Sequence, residues 1–75
     1  MQNEIVAKYF YAPVLDAGEI TVYACYDSEL DHHNRNVSFY DIYDRYGHCL
    51  NEGAPFYRFP SWQEIFDHYY MPTVN

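Results

Sequence analysis

From Glu19 to Asp27 the chain alternates strictly. Ile20, Val22, Ala24 and Tyr26 fall on one side, and Thr21, Tyr23, Cys25 and Asp27 on the other. Successive side chains of a strand point to opposite faces, so this period of two specifies a β-strand with one apolar face. A strand of this kind cannot stand alone. It needs neighbours to pair with and a layer to cover its apolar side, because an isolated hairpin is only marginally stable in water.

The flanking segments supply the neighbours. Glu4–Ala12 reads as a first strand, with Ile5, Ala7, Tyr9 and Tyr11 on its apolar side. Pro13 is expected to end it, and Asp16-Ala17-Gly18 to turn the chain into an antiparallel hairpin. Residues 28–36 are the most polar stretch and read as an exposed loop. A third strand follows over 37–46. Its alternation is mixed, with Phe39 beside Asp41 on one face and Tyr40 and Ile42 beside Asp44 on the other. His48-Cys49-Leu50 suits a brief return strand. The segment 55–60, bounded by Pro55 and Pro60, is an edge strand at best.

The covering layer is announced by Ser61-Trp62-Gln63-Glu64. In a capping box the Ser hydroxyl accepts from the Glu amide and the Glu carboxylate accepts from the Ser amide. Trp62, Ile65, Phe66 and Tyr69 then recur at helical spacing, and Pro72 stops the run, so a helix over about 61–71 should lay this stripe on the sheet. The expected fold class is α+β: a three- to four-stranded antiparallel sheet, in the order β-β-β and a possible fourth strand, packed by one C-terminal helix. Residues 1–75 are expected to form a single small domain. At this size only roughly 60% of the unfolded chain's surface is buried, so a second subunit would add stability.

Charge narrows the partners. Eleven acids against Lys8, Arg35, Arg45 and Arg58 give a formal net charge of -7. Nucleic-acid backbones and anionic membranes both call for clustered positive charge, so direct binding to either is not expected. A basic protein surface is the complementary partner. No apolar run approaches the roughly 18 residues of a membrane helix. The start, Met1-Gln2-Asn3-Glu4, lacks the basic segment and apolar core of an export signal. A cytoplasmic location follows as the expectation, with Cys25 and Cys49 reduced.

Chemistry is thinly signalled. His32 and His33 are adjacent, and no Cys-x-x-Cys or His-x-x-x-His pair exists, so no metal site and no cofactor are expected. His48 beside Cys49 is the nearest approach to a nucleophile and its base. On an extended segment those two side chains diverge, and no enzyme activity is expected. A small metal- or ligand-binding role for His48, Cys49 and the nearby acids ranks last among the readings.

The remaining feature is tyrosine, ten of 75 residues. Tyr buries a ring and keeps a hydroxyl that wants a partner, which suits half-wet contact surfaces. Tyr9, Tyr11, Tyr26 and Tyr69 fall on apolar stripes and are assigned to the core. Tyr23, Tyr40, Tyr43, Tyr46 and Tyr57 alternate with acids and are left for a partner. The expected binding residues are Tyr40, Asp41, Tyr43, Asp44 and Tyr46 of the third strand, with Asp27, Glu29 and Asp31 before it. The leading reading is a small acidic protein-binding module that acts by surface contact without catalysis. A sharper version makes it an inhibitor or nucleic-acid mimic from a phage or plasmid. The alternative is a structural homodimer.

Overall fold

A computed structural model of the chain describes residues 9–70. Three strands form one antiparallel sheet in the order β1-β2-β3: β1 Phe10–Asp16, β2 Ile20–Tyr26 and β3 Phe39–Asp44. A short helix α1, Glu29–His33, links β2 to β3, and helix α2, Trp62–Tyr70, closes the described chain. The architecture is α+β, as the alternation and the capping box require.

The first strand departs from expectation. It does not stop at Pro13 but runs to Asp16, and the part expected over 4–8 lies outside the described residues. Pro13 is tolerated because β1 is an edge strand in this sheet, where a missing N–H costs no ladder bond on the outer side. The pairing slips between Pro13 and Leu15, leaving Val14 as the extra residue of a bulge. The bulge has a packing consequence. Ala12 opposes Ala24 and Leu15 opposes Val22, so Leu15 returns to the apolar face and packs on the core.

Residues 28–36 are not a plain loop. Ser28 caps α1 by accepting from the Asp31 amide at 3.2 Å, and Asn34 and Arg35 donate back to Leu30 and His32 at the other end. The capping pattern Ser28-Glu29-Leu30-Asp31 was present in the sequence. It lacked an apolar stripe, because no residue of this helix is buried.

Cross-strand partners share a face, so the register assigns the sheet's two sides. Ile20, Val22, Ala24 and Tyr26 of β2 sit with Tyr40 and Ile42 of β3 on the inner side. Thr21, Tyr23 and Cys25 sit with Tyr43, Asp41 and Phe39 on the other. The inner side builds the core from Ile20, Val22, Ile42, Leu50 and Ile65, with Leu15, Tyr40, Phe56 and Tyr69 packed around it. Helix α2 enters this core through Ile65, which is 1% exposed. Its start is the capping box read from the sequence: Ser61 N–H donates to Glu64 at 2.9 Å and Glu64 N–H donates to Ser61 Oγ at 3.2 Å. Arg58 then holds the Glu64 carboxylate with two hydrogen bonds of 2.8 and 2.7 Å. Of the expected stripe only Ile65 is buried, with Tyr69 packed partly against the core. Trp62 and Phe66 stay 54% and 45% exposed, stacking on each other at the surface.

The outer edge of β3 is closed without a full fourth strand. Tyr40 exchanges both backbone bonds with Phe56, at 2.7 and 3.1 Å, and Leu50 N–H donates to the Ile42 carbonyl at 2.7 Å. The gap is filled by a side chain. Asn51, 1% exposed, accepts from the Ile42 amide at 2.9 Å. It donates to the Ala54 carbonyl at 3.2 Å and to the Tyr40 carbonyl at 3.4 Å. The expected return strand at 48–50 is thus a single bridge, Tyr43 to Cys49.

Candidate functional site: the open sheet face

No helix packs over the second side of the sheet among the described residues. That side is a floor of aromatic rings. Tyr9 meets Phe39 edge-on at 5.3 Å and Tyr11 at 6.4 Å. Tyr23 meets Tyr43 edge-on at 5.3 Å. The strands force this arrangement, because Tyr11 lies opposite Cys25, and Tyr23 between Pro13 and Asp41. Tyr9 and Tyr11, expected in the core, are 42% and 41% exposed. Their alternation was read correctly, but it places them on the side that α2 does not cover. A groove of about 570 Å³ runs between Tyr11, Thr21, Tyr23 and Tyr43, with Asp16, Asp44 and Arg45 at its rim.

Beneath the rings lies a polar seam. Asp41 accepts from Asn51 Nδ2 at 3.4 Å and from the Cys25 thiol at 3.9 Å, while the Cys49 thiol donates to Asn51 Oδ1 at 3.4 Å. Burial raises the Asp41 pKa, and the bonds from Asn51 and Cys25 only partly offset it. Burial, followed by the charge of Asp41, pushes Cys25 up to about 12. Burial also raises Cys49. The nucleophilic form of cysteine is the thiolate, so both thiols are held in the unreactive form. His48 gives Cys49 no help, since its ring sits against Asp44 with Nδ1–Oδ2 at 3.3 Å. Among the described residues no group of three or more His, Cys, Asp or Glu side chains is placed to hold a metal ion.

Tyr43 and Tyr11 are kept as donors. Burial first, then the nearby Cys49 and Asp41, push Tyr43 up to about 12. Partial burial, then Cys25 and Asp41, raise Tyr11. The face therefore presents neutral phenols around one half-buried carboxylate.

The eight residues expected to bind a partner are dispersed. Asp41 and Tyr43 lie together on the open face. Tyr40 points to the inner side, packs on the core and meets Phe59 edge-on at 5.4 Å. Asp44 is committed to its own turn, accepting from the Tyr46 and His48 amides at 2.9 Å each. Those amides, His48 first, hold its carboxyl below the usual carboxylate range. Tyr46 lies beyond the strand, 69% exposed, with the Arg45 guanidinium 5.0 Å from its ring centre. Asp27, Glu29 and Asp31 gather at α1, where Asp31 also takes a bond from Ser28 Oγ at 3.2 Å. Tyr9, Tyr11, Tyr23 and Phe39 complete the aromatic face. The signal for them was the β2 alternation, continued across the register to β1. No family model matches the chain, and neither a curated protein nor a solved structure is significantly similar to it.

Proposed function

We propose that the chain is a small acidic protein-binding module, acting by surface contact without catalysis, and that the open sheet face is its contact surface. The observation that carries this reading is the uncovered floor of Tyr11, Tyr23, Phe39 and Tyr43 on the strands, with Tyr9 just before β1, set around Asp41. Rings on strands lose little conformational freedom on binding, and their hydroxyls bond at the rim. A net charge of -7 selects a basic partner. Arg and Lys side chains of such a partner can lie over the phenol faces and reach Asp41.

The nucleic-acid-mimic version is the weaker one. A mimic needs free carboxylates in place of phosphates, and many here are engaged. Glu64 is held by Arg58, Glu19 faces Arg45, and Asp44 and Asp16 bond backbone amides of their own turns.

Immobilised protein should capture a basic protein from lysate, with capture weakening as salt rises. The double variant Tyr11→Ser, Tyr43→Ser should still fold, with a melt lowered by about 1–2 kcal/mol of lost ring contacts, and should lose capture at temperatures where it is fully folded. Capture that survives this variant, or an acidic partner, refutes the reading.

The homodimer is the second reading, supported by the exposed ladder Trp62, Phe66 and Tyr70 on α2, with ring centres 5.8 and 6.4 Å apart. Sedimentation of the parent and of Phe66→Ser decides it. A 9.0 kDa monomer at all concentrations removes the dimer.

A further inference from the structure

A second concavity lies on the inner side of the sheet. Helix α2 covers the Ile20–Ile42 part of that side and leaves the part around Ala24 to α1 and the chain near Phe59. Ala24, fully buried, lies at its floor, opposite Tyr40 across the β2–β3 pairing. The pocket holds about 500 Å³, within the size range of small-molecule sites.

Its walls are aromatic and its charge is positive. Tyr40 with Phe59 forms one edge-on pair, 5.4 Å between centres, and Tyr26 with His32 forms another at 4.9 Å. His32, His33 and Arg35 all line the pocket, and no carboxylate does. This is unusual in a chain of net charge -7. Arg45 and Arg58 each face a carboxylate within 4 Å; among the described residues Arg35 faces none. Arg35 also sits at φ 61, the left-handed conformation that Gly or Asn usually takes after a helix. The Arg35 and Asn36 amides donate to His32 and Asp31 there and close the end of α1, and the turn brings the Arg35 side chain to the pocket. Tyr26, 6% exposed, lines the same pocket with its ring.

We propose that this pocket binds a small organic acid with a flat apolar body. The body lies between the Tyr40–Phe59 and Tyr26–His32 pairs, and the anionic group meets the Arg35 fork and the imidazole N–H groups. Guanidinium binds carboxylate-like anions through paired donors, and imidazole offers an N–H in either protonation state. The site lies on the opposite side of the sheet from the proposed partner surface and does not depend on it.

The probe is 8-anilinonaphthalene-1-sulfonate, with uncharged N-phenyl-1-naphthylamine as its counterpart lacking the anion. Binding to the full chain should perturb the backbone amide signals of Ala24, Val37 and Tyr40. Arg35→Asn, which suits the left-handed φ, should weaken the sulfonate by about tenfold, the worth of one charge-assisted hydrogen bond, and leave the uncharged probe unchanged. His33→Gln should act in the same direction, and it supplies the test if Arg35→Asn does not fold. Phe59→Ala should weaken both probes. The proposal is overturned if neither charge variant separates the two probes, if the perturbed signals centre on Tyr23 and Tyr43 or on Trp62 and Phe66, or if the sulfonate does not bind at millimolar concentration.

Discussion

Tyr40 and Tyr43 stand three residues apart on β3, each beside an aspartate, and a period of two sends them to opposite sides of the sheet. Tyr40 joins Ile42 under the covering layer and packs on the core. Tyr43 joins Tyr23 on a side with no layer above it. Their aspartates diverge as well. Asp44 is spent on its own turn, with its carboxyl pKa lowered by the amides it accepts from. Asp41 is half-buried among rings and thiols, with its pKa raised. Four residues of similar composition thus divide into scaffold and surface. The comparison teaches that a repeated Tyr-Asp pairing is no unit of function: strand phase and the position of α2 assign each role.

The sharpest way to break this division is to cut one side chain from each face. Ile42 is fully buried, so Ile42→Ala should cost about 3–4 kcal/mol in denaturant melts. Tyr43→Ala should cost about 1 kcal/mol, the worth of an edge-on ring contact on a half-wet surface. Equal costs would make the open face a second core. Next in size is Asn51→Ala. It leaves the Ile42 amide without its acceptor, an orphaned buried donor worth about 2–3 kcal/mol. A cost below about 0.5 kcal/mol would show that the edge of β3 closes without the amide.

Two smaller effects separate the carboxylates by the sign of their pH dependence. Arg58 first, then the Ser61 amide, lower Glu64 from 4.5 to about 2. A depressed folded-state pKa gives stability that is present above the unfolded value and lost as pH falls. The parent should therefore lose melting temperature between pH 4.5 and about 2, and Glu64→Gln should flatten part of that loss. Asp41 has the opposite sign. Burial favours its neutral form, so its contribution improves as pH falls through its raised pKa. Asp41→Asn should melt slightly higher than the parent at pH 7, with the gain fading in acid. A lower melt at pH 7 would mean that the charge itself supports the fold.

Much of the fold was legible in the chain. The alternation of Ile20–Tyr26 and the Ser61–Glu64 box each rest on local geometry, and both appear as read. The phase of β3 was legible too, since Phe39, Asp41 and Tyr43 do oppose Tyr40, Ile42 and Asp44. Which phase faces inward was not, because each carries an acid and the partners that accommodate those acids lie elsewhere. Asn51, ten residues from Asp41, resembles a turn residue until its contacts with β3 are known. Pro13 misled for a related reason: a proline ends a central strand but not an edge strand, and edge position is a property of the whole sheet. Helix α1 escaped notice because five residues with no buried side chain leave no stripe. Tyr9 and Tyr11 looked like core because their neighbours are apolar. Their exposure follows from where a helix fifty residues later comes to rest.

Trp62 is the only tryptophan of the chain, and it stands half in water on the outer side of α2, stacked on Phe66. Its indole is already solvated in the folded state, so its emission maximum will shift little when the core opens. The optical signal of the tertiary fold resides instead in the coupled phenols, Tyr23 with Tyr43 above all, through near-ultraviolet dichroism. Tryptophan emission is left as a quiet background against which anything that docks on α2 announces itself.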